Sequence, residues 1–198
     1  MFRDPEVYLA LRQQVVPYLK TYPFIKVWHA GCATGEEVYS TAIILKEEGF
    51  NNHATIFATD FNDHALQKAR EGIFSQNRMQ QYTRHYQQAG GQNSFADYYH
   101  AQYEYARMNS ALKENITFAN HNLVTDGVFS EMHLIFCRNV LIYFDRTLQN
   151  RVLQLLYNSL VHGGFLCIGN NETIEFSSVK EKFRIVDENA KIYQKHAR

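Results

Sequence analysis

Apolar residues recur along this chain in two alternating patterns, short β-favouring runs and longer stretches at helical spacing, and that alternation is its main structural signal. Asp4 followed by Pro5 sets an N-cap and a first-turn proline ahead of Val7, Leu9, Leu11, Val15 and Val16. This predicts a helix that ends near Tyr18, with Pro17 in its last turn. Phe24 to Ala30, FIKVWHA, reads as a strand that stops at Gly31, and 36–48 follows with apolar residues at helical spacing. The unit recurs as a strand over 54–59, then Asp60, then a helix over 63–70 closed by Gly72. It recurs again as a strand over 133–137 and a helix from Asp145 to about Val161. Such alternation predicts an α/β fold whose mostly parallel sheet is covered on both faces and takes a ligand at the carboxyl ends of its strands. After Gly163 and Gly164 come FLCIG, FRIVDE and KIYQK with no long helix between the last two, so the sheet is expected to finish in an antiparallel hairpin.

The stretch 75–115 breaks the alternation. A polar helix-like segment leads to Gly90 and Gly91 and then to Phe95, Tyr98, Tyr99, Tyr103 and Tyr105. Aromatics this dense beside glycines predict short strands in a small antiparallel β insertion within a single domain spanning 1–198.

Composition narrows the function. With 198 residues, 45% of them hydrophobic, the chain can bury a sizeable core. Lys plus Arg total 20 and Asp plus Glu total 20, so there is no long-range field to collect phosphates, and duplex nucleic acid is excluded as a partner. No apolar run reaches the roughly 20 residues that cross a bilayer, and MFRDPEVY lacks a signal-peptide pattern. The expectation is a cytoplasmic protein without membrane insertion. Cys32, Cys137 and Cys167 lie far apart with no C-x-x-C pair, which argues against a disulfide framework and against a thiolate zinc site. Nine histidines without i, i+4 pairing give no metal site, and no G-x-S-x-G elbow is present.

Three motifs can carry chemistry. Gly31-Cys32-Ala33-Thr34-Gly35-Glu36-Glu37 joins the first strand to its helix, with glycines that permit a tight turn and close approach of a ligand. It lacks the third glycine of a dinucleotide fingerprint and the Gly-Lys-Ser/Thr of a phosphate loop. Two acids in the first helical turn repel an anion, so they suit hydroxyls or a cation, or else merely complement the helix dipole. Asp60, at the end of the second strand, can accept both hydroxyls of a ribose, while Asp60 or Asn62 could equally cap the next helix. Arg138 and Asn139 of CRNVLIYFD stand at the end of a central strand, where polar groups are costly without partners; Val140 to Phe144 read as core, Tyr143 excepted. Cys32 reads as a small residue in a tight turn, and Glu47 and Glu48 as a solvated helix end.

Taken in order, FRDPEVY, VWHAGCATGEEVYS, ATDFN, NHNLVTD, FCRNVLIYFD and GGFLCIGNNE resemble the catalytic domain of the chemotaxis receptor methyltransferase (CheR) family over nearly the whole chain. The resemblance implies a Rossmann-like class I methyltransferase sheet. It implies S-adenosylmethionine as cofactor, S-adenosylhomocysteine as product, and methyl transfer to glutamate side chains on the cytoplasmic helices of chemoreceptors. By motif position, Gly31, Ala33 and Glu37 would line the cofactor and Asp60 would hold its ribose. Asn122 and Leu123 would lie against the adenine, and Arg138 and Asn139 along the cofactor below Tyr143. Arg3 would sit near the cofactor's methionine portion and the acceptor, and Tyr143 beside the transferable methyl, which makes these two the expected catalytic residues. In some family members the β insertion captures a receptor C-terminal peptide; packing onto the main sheet is the other use of its aromatics here.

The chemistry agrees with what is missing from the motifs. A glutamate carboxyl has an unperturbed pKa of about 4.3, so the acceptor is ionised at neutral pH and needs no general base. Relatives carry an N-terminal helical domain and an Asn-x-Thr pattern ahead of the Phe-Arg block, whereas this chain starts at Met1-Phe2-Arg3. Two contacts of about 1 kcal/mol each would then be missing, an expected loss of tens-fold in cofactor affinity at most. The alternatives are a sensory or scaffolding module that binds the cofactor without turnover, and a methyltransferase acting on another carboxylate acceptor.

Overall fold

The computed structural model describes residues 1–196. The chain opens with a helix in three pieces, α1 (Pro5–Ala10), a wider π-helical turn over Leu11–Val15, and α2 (Val16–Leu19). Pro17 has no N–H to give and crowds the carbonyl four residues back, and the wider turn just before it absorbs that mismatch. Asp4 occupies the N-cap position with φ 57°, yet its side chain makes no capping hydrogen bond. It serves the cleft instead, as described below.

Then follow β1 (Ile25–Ala30), α3 (Glu36–Glu47), β2 (Ala54–Asp60), α4 (Asp63–Glu71), β3 (Ile73–Ser75), α5 (Met79–Gln88), β4 (Tyr99–Gln102), β5 (Tyr105–Met108) and β6 (Ile116–Asn120). The chain continues through β7 (Met132–Cys137), α6 (Arg146–Ser159), β8 (Leu160–Ile168), β9 (Phe183–Asp187) and β10 (Ile192–Lys195). The main sheet has the order β6-β2-β1-β7-β8-β10-β9. Its first five strands are parallel and the last two pair antiparallel, as expected. A second, three-stranded antiparallel sheet, β3-β5-β4, holds the insertion's strands.

Two details differ from the sequence pattern. The strand β6, too short and too exposed to show alternation, was not anticipated. The helix α6 stops at Ser159, and β8 runs straight through the two glycines that looked like a turn. Gly163, at φ +77°, makes an irregularity there, and a Cβ on it would lie 2.5 Å from the Tyr18 hydroxyl, so only glycine fits.

The period of two along β1 divides the core. Ile25 and Val27 face a core shared with Val7, Leu11, Ile43 and Leu66, whereas Trp28 and Ala30 face another with Val152, Leu153 and Leu156 of α6. A sheet buried on both faces leaves its carboxyl edge as the open place, and that edge bears the cleft. Glu47 and Glu48 are not a solvated helix end: Glu47 accepts from Arg12, Tyr86 and Tyr98, and Glu48 from Arg12 and Lys20, so the pair ties α3 to the N-terminal helix and the insertion. The insertion's aromatics split accordingly. Phe95 and Tyr98 are buried in the first core, while Tyr103 and Tyr105 are exposed.

Candidate active site

At the carboxyl ends of β1, β2 and β7 lies a cleft with two lobes that share Gly31, Ala33, Asn139 and Tyr143. The first lobe, of about 480 Å³, is walled by Phe61, Leu123, Val140 and Phe144, with Asp60 and Asn122 among them. The second, of about 580 Å³, is polar and contains Arg3, Glu36, Glu37, Arg78 and Arg138. Every residue that the motifs proposed for the site lines one lobe or both.

The turn after β1 is fastened to β2: the Gly31 and Cys32 N–H groups both donate to the Thr59 carbonyl, at 2.9 and 2.8 Å. A Cβ on Gly31 would lie 2.5 Å from Val140 Cγ2, and the residue has φ +82°, so glycine lets the turn close on the loop after β7. Cys32 is buried in this turn, and burial, followed by the charge of Asp60, pushes its thiol up to about 12. That is not a nucleophile at neutral pH.

Helix α4 is capped by Asn62, whose side-chain oxygen accepts from the His64 and Ala65 N–H groups. Asp60 is therefore not the cap of that helix. Its Oδ2 accepts from the Ala33 N–H at 2.9 Å and its Oδ1 from the Asn62 N–H at 3.0 Å. A carboxylate has about four acceptor positions, which leaves one on each oxygen for a pair of vicinal hydroxyls. Asn122 folds its side chain into a local turn, accepting from Val124 N–H while its own N–H donates to Asp126, and so fixes Leu123 in the apolar wall.

The polar lobe rests on a buried ion cluster. Arg138 donates from Nη2 to Asp4 Oδ2 at 2.6 Å and from Nη1 to Glu37 Oε2 at 3.1 Å and the Arg3 carbonyl at 3.4 Å. The other Glu37 oxygen lies 3.0 Å from His29 Nδ1. His29 is itself buried, stacked on Phe136 at 4.6 Å, and a neutral ring there carries its hydrogen on Nδ1. Burial by itself would raise the Glu37 pKa; His29 and then Arg138 outweigh it and hold the carboxyl below its ordinary range. Burial likewise opposes the charge on Arg138, and the surrounding acidic groups, Glu37 foremost with Asp4 among them, together more than restore it. The segment bearing Arg3 is held from both sides. Phe2, at φ 51°, donates its N–H to Ser40 Oγ and packs edge-on against Tyr8, Tyr86 and Phe95.

The loop after β7 owes its shape to a residue that no motif singled out. The buried carboxylate of Glu172 accepts backbone N–H groups from Asn139, Val140, Leu141 and Gly169 at 3.0, 2.8, 2.7 and 2.5 Å. This nest holds Asn139 at φ 58°, a conformation asparagine tolerates better than most residues, and turns Tyr143 outward. Tyr143 is 81% exposed at the junction of the lobes, and Ile142, read as core, is half-exposed. Asp4 and His29 were missed as site residues as well. The Asp4 partner lies 134 residues away, so only folding brings that pair together, whereas His29 meets Glu37 eight residues on, across the turn after β1.

An open, mostly parallel sheet with an antiparallel end, and a cleft divided between an apolar lobe edged by the Asp60 carboxylate and a charged lobe, suits a nucleoside joined to an amino acid. These are features of the S-adenosylmethionine-dependent methyltransferase fold. The chain belongs to the CheR family: the family described as "CheR methyltransferase, SAM binding domain" matches residues 1–192. It is 51% identical over 195 residues to the Cher3 protein of Pseudomonas putida, covering 98% of this chain and 71% of that one. It is 33% identical over 175 residues to the chemotaxis protein methyltransferase of Listeria innocua, covering 87% of this chain and 64% of the relative. The chain thus spans a little under two thirds of that relative's length. Among solved structures, the StiE O-MT segment, residues 961–1257, superposes with a TM-score of 0.51 at 15% identity, covering 92% of this chain and 52% of that one, a likeness of fold. Among the described residues no helix is long and apolar enough to cross a membrane.

The residues present fit the cofactor. S-adenosylmethionine carries an adenine for the apolar lobe, two ribose hydroxyls for the free acceptor positions of Asp60, and a charged methionine portion for the polar lobe.

Proposed function

We propose that this domain methylates glutamate side chains on the cytoplasmic helices of chemoreceptors, giving methyl esters, and works in the cytoplasm. The observation that supports this reading is the state of charge in the polar lobe. Asp4 and Glu37 are bound to Arg138, and Glu36 accepts from Thr34 at 2.6 Å and Arg78 at 3.5 Å. Among the described residues the Arg3 side chain forms no ion pair. A cleft whose acids are occupied and whose mouth offers a free guanidinium and an exposed phenol suits an acceptor that arrives already ionised.

In this reading Asp60 holds the ribose, Asn122 and Leu123 flank the adenine, and the turn around Gly31 and Ala33 passes beside the cofactor. Glu37 and Asn139 line the methionine portion, with Arg138 beneath them. When bound, the cofactor supplies a methyl carbon on a positively charged sulfur. Arg3 holds the acceptor carboxylate by charge-assisted hydrogen bonds, and the Tyr143 hydroxyl sets its angle for in-line attack. No proton moves, because the acceptor is an anion at neutral pH.

The test is transfer of label from methyl-tritiated cofactor to chemoreceptor cytoplasmic fragments, with the product checked for base-labile ester. Calorimetric titration with S-adenosylhomocysteine comes first and reports on the cofactor site alone. Micromolar product binding with base-labile label on the receptor is the expected result. Binding without label on any receptor fragment would refute the acceptor assignment, and label stable to base would refute the ester.

A further inference from the structure

We infer that the cleft-facing side of α5 is a docking wall for the acidic segment that carries the acceptor glutamate; this rests on the methyl-transfer reading above. Arg78, Gln81, Tyr82 and His85 all line the polar lobe. Their spacing of i, i+3, i+4 and i+7 is one continuous face of a helix, so α5 presents a stripe rather than a single contact. The stretch 78–88, RMQQYTRHYQQ, contains two arginines and no acid.

A 3-10 turn over Gln76–Arg78 leads directly into α5, and Arg78 stands at their junction with no acid in the first turn of α5 to answer its charge. Glu36 answers this charge only in part, at 3.5 Å through Nη1 of a side chain that is 59% exposed. Arg3, on the same lobe, supplies a further cation, and its side chain forms no ion pair among the described residues. The acids of this lobe are occupied within the protein, so what remains for a partner is positive charge and the amide of Gln81. An acidic protein segment, rather than a neutral or basic one, is the complementary surface.

The experiment compares the full chain with Arg78→Gln and Gln81→Glu on the cleft face, and with Gln87→Glu on the exposed outer face as control. Acceptor KM is measured with a chemoreceptor cytoplasmic fragment at low and high salt, alongside S-adenosylhomocysteine affinity and the melting curve. The cleft-face variants are expected to raise acceptor KM by about five- to tenfold at low salt, less at high salt, with a smaller change in product affinity and melting unchanged. Gln87→Glu is expected to stay within about twofold, as is usual for an isolated surface charge. Equal effects from the inner and outer variants, or an unchanged KM in all of them, would overturn the docking wall. If the wild-type chain transfers no methyl, binding of the same fragment by fluorescence anisotropy decides. Salt-sensitive binding weakened by Gln81→Glu upholds the wall and sinks the methyl-transfer reading. Absence of binding by a chain that takes S-adenosylhomocysteine normally sinks the wall.

Discussion

Replacing Glu172 with glutamine strikes the loop that carries Asn139 and Tyr143 without touching either. The carboxylate takes two N–H groups on each oxygen: Val140 and Leu141 on Oε1, Asn139 and Gly169 on Oε2. A glutamine keeps one oxygen, and its own NH₂ group faces the two N–H groups left over. Hydrogen bonds to a buried charged group contribute about 1.5–3 kcal/mol each, and an unsatisfied buried donor costs about 1–3 kcal/mol. Two lost bonds therefore cost about 3–6 kcal/mol, a large part of the ~5–15 kcal/mol that holds a domain folded. For a chain of this length the melting temperature should fall by roughly 6–24 °C. The control is Glu175→Gln, which breaks an exposed pair with Lys180 at 2.7 Å and should cost under about 1 kcal/mol. Calorimetric melting of both variants, with and without S-adenosylhomocysteine, measures the difference. The reasoning fails if Glu172→Gln melts within about 3 °C of wild type, or no lower than Glu175→Gln, because the loop would then hold its shape without the carboxylate.

Other perturbations reach the same site by different routes. Arg138→Met leaves Asp4 and Glu37 without their partner and should cost about 3–5 kcal/mol in melting experiments and abolish measurable S-adenosylhomocysteine binding. Glu37 titrates below its unfolded value, so its stabilising contribution is complete above the ordinary carboxylate range and is lost as pH falls through the depressed pKa. The melting temperature should thus hold from pH 8 to about 5 and fall below about 4, with a shallower fall in Glu37→Gln; Glu47 and Glu48, shifted the same way, supply the remainder. Gly31→Ala combines a positive φ with a 2.5 Å contact to Val140, and an overpacking cost of about 1–3 kcal/mol together with weaker product binding is expected. Cys32, its thiol raised to about 12, should resist alkylation at pH 8 in the native chain and react freely in urea, as followed by mass spectrometry.

How far the sequence led depended on whether a signal was local. Strand, turn and helix repeat within about 20 residues, so periodicity and glycines placed β1, α3, β2, α4 and β7, and the helix expected from Asp145 starts there, with Asp145 as its cap. The ends of α6 and β8 were misread because two glycines mark a bulge inside a strand as readily as a turn between elements. The role of Asp4 was misread for a related reason. Asp before Pro is a strong capping signal, but Arg138, 134 residues away, takes the carboxylate. Glu172 closes the quoted block GGFLCIGNNE, but its role was not legible, because a carboxylate that serves backbone N–H groups 31 to 33 residues upstream leaves no periodic pattern in the chain. Most motif residues lie together because they follow the carboxyl ends of β1, β2, β6 and β7 at one sheet edge, which is written in the topology; Arg3 reaches that edge from ahead of α1.

The cluster beneath the polar lobe explains why the site needs so many distant parts. A buried arginine between two carboxylates is no more stabilising than well-packed apolar side chains, since removing the charges from water costs about what their attraction returns. Its return is geometric. Arg138 joins the N-terminal segment, through Asp4 and the Arg3 carbonyl, to the first turn of α3, through Glu37, and the strand end that carries Arg138 leads directly into the loop that Glu172 holds. Arg3, Glu37 and Tyr143 are thereby fixed relative to one another by bonds that no ligand has to supply. The same bonds occupy Glu37 on both oxygens and hold its pKa low, so the carboxylate nearest the polar lobe is a poor proton acceptor. A reaction that required a base would be badly served by this arrangement, whereas transfer to an acceptor that is already an anion requires only placement.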